Sequence, residues 1–421
     1  MSEKRRDSKG RILRTGEVQR TDGKYMFRYT DANGDRKTVY SWRLVDTDKV
    51  PSGKKSSEPL RSIEQRVLKD TEDGILSSHS DDISVNTLFD RFFEMRATLA
   101  ESTKCNYVCL YDAHVREKIG KKSIQKIKYS DMYKLYLSFS TDDNLKISTI
   151  QALNGILWQM FNIAVKDHLI RNNPTDGLMQ DISNVLNEEK KKRHALTIGQ
   201  QSALLDYIYS KDKYSRYGTL FTTLLGTGMR IGEALGLRWC DVDFERNIII
   251  VDHSLSYKAS LDGKYKYKIS PPKTSAGIRS IPMFSDVSDA LIKQRESKEP
   301  FKSDFSIGQY KDFIFLNTAG KVYTPTFIFD LIQNIVADYN HEEYARARMD
   351  EDEPLYLPKI SAHILRHTFC TRLCENESNL KVIQDVMGHK NITTTMNIYN
   401  EATAEAKQLS FAEIDGKIKL R

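Results

Sequence analysis

The run from Asn187 to Ala195, NEEKKKRHA, constrains this chain more than any other stretch, because nothing apolar stands in it before its last residue. A segment of that kind cannot thread a core without burying unpaired charge, so it reads as a linker between separately folding parts. A length of 421 residues, too great for one ordinary core, points the same way. Thr197-Ile-Gly-Gln200 follows at once and has the form of a capping box, so a new domain is expected to begin near Ala195.

Two textures follow one another before the linker. Residues 11–45 read as a small sheet: EVQR, KYMFRYT and RKTVYSWRL are rich in aromatic and β-branched residues, with hairpin turns at Asp22-Gly23 and Asn33-Gly34. On the middle strand Tyr25, Phe27 and Tyr29 share one face, and Lys24, Met26 and Arg28 share the other. PSGKKSSEP is a linker, and LRSIEQRVLKDTEDGI has helical spacing. A helix is therefore expected over the Tyr/Phe row, leaving a basic face that is either simply solvated or set against nucleic acid. Residues 80–186 read as helical throughout, in SVNTLFDRFFEMRA, STKCNYVCLYDAHVREKIG and STIQALNGILWQMFNIAVKDHLI. The last opens with a capping-box pattern from Ser148 to Gln151, and lysines such as Lys104 and Lys146 scatter positive charge over the region.

After the linker the order is mixed. Helices around 198–210 and 215–237 precede strands in NIIIVDHS, YKYKIS and IRSIPM, then YKDFIFL, a helix begun by Thr324-Pro325, and helices at 361–376, 379–387 and 393–410. The three expected domains are thus 1–79, 80–188 and 195–421.

Charge and cysteine content narrow the class. The net charge of +7 matches the surplus of residues 1–55 alone, which hold 15 Lys/Arg against 8 Asp/Glu, so a phosphate-bearing partner would be felt there first. MSEKRRDSKGRILR has no apolar run behind its charges, and no stretch of 18 apolar residues occurs, so neither a secretory signal nor a membrane span is expected. Five cysteines suit a reducing cytoplasm better than a disulfide framework. Cys105/Cys109 and Cys370/Cys374 are each spaced by four on expected helices, where packing on one face accounts for them without a metal.

Four segments carry chemistry. In SAHILRHTFCTRLCE, His363, Arg366 and His367 fall at i, i+3 and i+4 on one face, either a plain surface stripe or one suited to an anion rather than a metal, because the arginine repels a cation. In FTTLLGTGMRIGEALGLRWCDV, Gly226 and Gly228 interrupt an apolar helix, and Arg230 begins the next turn with Glu233 three residues on. Pro271-Pro-Lys273 lies in a connection between strands, so Lys273 projects from a turn, where it is either solvated or reaches a substrate. In NLKVIQDVMGHKNITTTMNIY, Gly388 suits a left-handed helix cap, His389 follows on the turn, and Thr393 to Thr395 can cap the helix that carries Tyr399. Together these groups would make a phosphoryl-transfer site without a metal ion: cations neutralise developing charge, imidazoles move protons and the tyrosine attacks.

Taken in order, Arg230, Lys273, His363-x-x-Arg366, His389 and Tyr399 resemble the signature of the tyrosine recombinases, the phage-integrase family. GTGMRIGEALGLRW, PPKT, HILRHTF and MGHKNITTTMNIY look like its boxes, with Met387 where leucine is usual. GEVQRTDGKYMFRYTDANGDRKTVYSWRLV is similar to the arm-binding domain of integrases from conjugative transposons of Gram-positive bacteria. The resemblance implies a multidomain α+β fold: a three-stranded sheet plus helix that binds arm-type DNA, an all-α core-binding domain, and a mixed, mainly α catalytic domain. It implies that Tyr399 attacks a DNA phosphate, Arg230 and Arg366 hold its oxygens, Lys273 protonates the leaving group, and His363 and His389 assist. Glu233 and His367 would be supporting residues. Arg20, Lys24, Arg28, Tyr40, Trp42 and Lys54 would contact arm DNA, and Lys104 and Lys146 core DNA. No cofactor or metal is implied. The implied partners are double-stranded DNA at attachment sites, a homotetramer on that DNA held together through the tail at about 402–421, an excision factor and a DNA-bending host protein.

Overall fold

The computed structural model describes residues 5–32, 34–74, 83–186, 194–260, 263–272, 274–297, 304–377 and 379–400. Lys273, Asn33 and the tail from 401 onward lie outside the described residues. The chain divides into two compact units, residues 1–190 and 191–421.

The first unit opens with three antiparallel strands in the order β1 (Glu17–Gln19), β2 (Tyr25–Thr30) and β3 (Arg36–Ser41). Gly23 and Gly34 take φ of 84° and 87° in the connecting turns, a region open to glycine at no steric cost. Helix α1 (Leu60–Glu72) packs Leu60 against Tyr25, Phe27 and Leu44, so the expected covered face exists. Met26 differs from expectation. It shares the face of Lys24 and Arg28 yet is 8% exposed, because Val18 and Tyr40 flank it in register.

Among the described residues five α-helices follow: α2 (Val85–Glu94), α3 (Glu101–His114), α4 (Tyr129–Thr141), α5 (Ile147–Lys166) and α6 (Leu178–Leu186). Phe89, Phe92, Tyr111, Tyr136, Phe139, Leu157 and Phe161 are among the residues of their common core. Helix α5 begins two residues earlier than its capping-box pattern suggested. Lys146 occupies the cap with no side-chain bond, and Ser148 to Gln151 lie inside the helix.

The second unit contains α7 (Ile198–Ser210), α8 (Asp212–Ser215), α9 (Gly218–Thr227) and α10 (Ile231–Gly236). The Thr197–Gln200 capping box forms, with the Thr197 hydroxyl accepting from Gln200 N–H at 3.1 Å. β4 (Val242–Asp243), β5 (Ile248–Val251) and β8 (Arg279–Pro282) make an antiparallel sheet, and β6 (Ser254–Ala259) pairs with β7 (Tyr265–Ser270) as a separate ribbon. Helices α11 (Ser285–Glu296), α12 (Pro325–Asp350), α13 (Ala362–Asn376) and α14 (Leu380–Met387) follow, and a last helix, α15, runs over 392–400. YKDFIFL makes isolated bridges, Arg238 to Phe313 and Leu316 to Val322, rather than a strand. Its Phe313, Ile314 and Phe315 are buried in the core all the same. Among the described residues no helix is long and apolar enough to cross a membrane.

Candidate active site

Two helix ends define the site. Helix α9 stops at Gly228, whose φ of 61° is left-handed and where a Cβ would lie 2.3 Å from a ring carbon of Phe369. Helix α14 stops at Gly388 with φ 62°, where a Cβ would lie 2.9 Å from the Ala276 carbonyl. Each turn delivers one functional group just beyond its glycine: Arg230 after the first, His389 after the second. Arg366, on α13, ties the turns together. It donates to the Gly228 carbonyl at 2.6 Å and to the Met387 carbonyl. Arg230 adds a bond to the Gly388 carbonyl at 3.2 Å. The stripe expected on α13 is therefore not uniform, because Arg366 is 4% exposed while His363 is exposed and His367 half-buried.

A third guanidinium, absent from the sequence reading, completes the cluster. Arg279, the first residue of β8, donates to Glu233 Oε2 at 2.8 Å, to the Val386 carbonyl at 2.7 Å and to the Gly277 carbonyl at 3.3 Å. The other Glu233 oxygen accepts from Arg230 Nη1 at 2.8 Å, and Oε2 also accepts from the Arg230 backbone N–H at 2.9 Å. Two guanidinium groups thus meet the Glu233 carboxylate, and a third, Arg366, stands beside them on backbone carbonyls in a largely buried place. Burial, then repulsion from Arg230, pushes Arg366 down to about 9. Burial, then Arg366, Arg230 and Arg279, pushes His389 down to about 4, with His363 also contributing. A bound anion would relieve both strains, and neutral His389 is a hydrogen-bond donor through one ring nitrogen only. Of the three arginines, Arg230 has the open side chain, 40% exposed.

Tyr399 lies on α15, half-buried, and packs with Ile398 against Phe369, Cys370, Cys374, Ile383 and Met387. The expected caps of this helix are corrected. Asn391 accepts from the Thr393 N–H at 3.0 Å and the Thr393 hydroxyl at 2.8 Å, so the threonines lie within the helix. Thr395 points back instead, with its hydroxyl 2.9 Å from Nδ1 of His389. His367 Nδ1 pairs with the Thr371 hydroxyl at 3.2 Å.

The arm-binding candidates gather in the first unit. Lys24 Nζ stands 5.2 Å from the Tyr40 ring and 5.5 Å from the Trp42 ring, Lys54 stands 5.1 Å from Trp42, and Arg20 lies 5.7 Å from Tyr40. Arg28 is exposed on the same strand face as Lys24. Lys104 donates to the Ala97 carbonyl at 2.6 Å, and Lys146 is exposed at the start of α5. Among the described residues, one group has metal-ligand character: Asp241, Asp252 and His253, within 4.8 Å of one another. Both ring nitrogens of His253 are already engaged, by Asp252 at 2.5 Å and the Gly236 carbonyl at 2.7 Å.

Comparison with known proteins shows the family. Residues 194–406 match the phage integrase family, and residues 1–71 match the DNA binding domain of Tn916 integrase. The transposase of transposon Tn1545 from Streptococcus pneumoniae is 35% identical over 97% of this chain and 98% of its own length. The transposase of Tn916 from Enterococcus faecalis is 34% identical over the same shares. A solved Tn1549 transposon integrase in complex with a circular intermediate DNA is 31% identical, with a TM-score of 0.67 over 78% of this chain and 100% of that one. The chain therefore belongs to the tyrosine recombinases of the phage integrase family, in the branch carried by conjugative transposons of Gram-positive bacteria.

Proposed function

We propose that this chain is the integrase of a conjugative transposon or similar mobile element, and that it cuts and rejoins DNA through Tyr399. The observation that supports this best is the cluster of Arg230 and Arg279 on the Glu233 carboxylate with Arg366 on the adjoining Gly228 and Met387 carbonyls, tied through His389 and Thr395 to the tyrosine helix. A phosphodiester supplies the negative charge that this cluster lacks.

The tyrosine oxygen forms a bond to phosphorus as the bond to the 5′-oxygen breaks, leaving a 3′-phosphotyrosyl link and a 5′-hydroxyl. Tyr399 passes its proton to His363, and Lys273 gives a proton to the departing oxygen. An unperturbed tyrosine, with pKa of about 10, needs that help at neutral pH. Arg230 holds the non-bridging oxygens from its open side. Arg366 adds the N–H groups not engaged on Gly228 and Met387, and neutral His389 donates one bond more. Glu233 and Arg279 orient Arg230. The phosphotyrosyl bond conserves the energy of the phosphodiester, so neither ATP nor a metal ion is required.

Residues 1–79 bind arm sites through the face of Lys24 and Arg28, residues 80–188 bind the core site, and residues 195–421 perform catalysis. Exchange runs through a Holliday junction in a tetramer whose protomers contact one another through the tail at about 402–421. An excision factor and a DNA-bending host protein assist in the cytoplasm. A nicked suicide duplex carrying the element's end tests the reading. Covalent adduct is expected in the presence of EDTA and none with Tyr399→Phe; adduct persisting in that variant, or requiring a divalent ion, would overturn it.

A further inference from the structure

The contact between Thr395 and His389 carries the site's logic one step beyond the residues that meet the phosphate. Thr395 has no exposed surface. Among the described residues its hydroxyl has one hydrogen-bond partner, Nδ1 of His389 at 2.9 Å. If Nδ1 carried the proton and donated, the buried hydroxyl hydrogen would be left with no acceptor, a costly arrangement. The hydroxyl therefore donates, Nδ1 accepts, and the imidazole proton resides on Nε2. The backbone of His389 is fixed as well: its N–H donates to the Gln384 carbonyl at 3.2 Å, and its carbonyl accepts from Gln384 Nε2 at 3.0 Å. With the backbone pinned, the side-chain bond to Thr395 sets the ring's tautomer and rotation.

Thr395 also stands four residues before Tyr399, one helical turn away on the same face of α15. We infer that Thr395 is a positioning residue that holds His389 as an Nε2–H donor to the scissile phosphate, and does so only while the tyrosine helix is seated. The inference rests on the assignment of His389 to the phosphate. Seating the nucleophile and arming the phosphate donor become one event: a protomer whose α15 has moved away loses both Tyr399 and the oriented imidazole.

The test follows covalent adduct formation by the full-length protein on the nicked suicide duplex, with DNA affinity measured alongside. Thr395→Val keeps the shape of the side chain and removes the hydroxyl, whereas Thr395→Ser keeps the hydroxyl. The valine variant is expected to form adduct about 10-fold more slowly at unchanged DNA affinity, and the serine variant to return to within about 3-fold of wild type. In a His389→Ala background, Thr395→Val is expected to add no further loss, because its effect passes through the imidazole. Wild-type rates in Thr395→Val, equal losses in the valine and serine variants, or losses that multiply in the His389→Ala background would each overturn the inference. A His389→Ala variant as fast as wild type would instead remove His389 from the phosphate, and the inference would fall with that assignment.

Discussion

Glu233→Gln is the most informative single change in the catalytic unit, because one carboxylate there balances Arg230 and Arg279. Glu233 is 4% exposed, and it accepts from Arg230 Nη1 at 2.8 Å, from the Arg230 N–H at 2.9 Å and from Arg279 Nη2 at 2.8 Å. Glutamine keeps the volume but turns an NH2 group toward a shell made of donors. At least one of these bonds is lost, and Arg279, whose side chain is 5% exposed, keeps no counter-charge at this contact. Removing one partner of such a buried pair costs about 3–5 kcal/mol. That is a large part of the roughly 5–15 kcal/mol that holds a domain folded. With a urea dependence of about 2 kcal/mol per molar, the unfolding midpoint should fall by on the order of 2 M.

The effect also has a defined pH window. Burial alone would raise the Glu233 carboxyl, but Arg279 and Arg230 outweigh it and hold the group below its ordinary value of 4.5. A depressed carboxyl contributes stability that is fully present above its unfolded value and is lost as pH falls through the folded one. The gap between wild type and Glu233→Gln should therefore be full at pH 7 and narrow below about 4.5. Equal urea midpoints at pH 7, or a gap that widens on acidification, would refute the role given to this carboxylate.

Three further changes probe other parts of the molecule. Gly388→Ala would press a Cβ to within 2.9 Å of the Ala276 carbonyl at a φ of 62°, so thermal unfolding should move down by several degrees, and an unmoved transition would contradict the geometry. Arg366→Lys replaces a fork that reaches both the Gly228 and Met387 carbonyls with a single ammonium; adduct formation should fall about 100-fold or more, and near-wild-type rates would remove Arg366 from the site. Arg28→Ala should lower the salt dependence of arm-site binding by about one phosphate contact, and an unchanged slope would show that this strand face does not meet DNA.

The sequence was most legible where local rules govern. The three strands, the Thr197–Gln200 box and the glycine stops at 228 and 388 follow from turn and cap chemistry within a few residues. It was least legible where partners lie far apart in the chain. Arg279 sits in a short strand with no mark that distinguishes it from an ordinary edge arginine, and its carboxylate partner is 46 residues upstream. The i, i+3, i+4 stripe of His363, Arg366 and His367 gave a shared face but not the depth of each residue. Arg366 sinks below the surface because carbonyls from two other elements reach it. The role of Thr395 is hidden for a related reason. Three successive threonines before a helix look like caps, yet Asn391 takes that task and frees the third hydroxyl for His389. The alternation on β2 hid Met26 in the same way, since burial on that face comes from Val18 and Tyr40 on neighbouring strands.

The role of Tyr399 is tested most directly by locating the covalent bond itself. After reaction with a suicide duplex, nuclease digestion and proteolysis, mass spectrometry should find the nucleotide remnant on the peptide that contains Tyr399, attached to that residue among the 21 tyrosines of the chain. A remnant on any other residue, or adduct of unchanged mass and yield in Tyr399→Phe, would contradict the proposed mechanism.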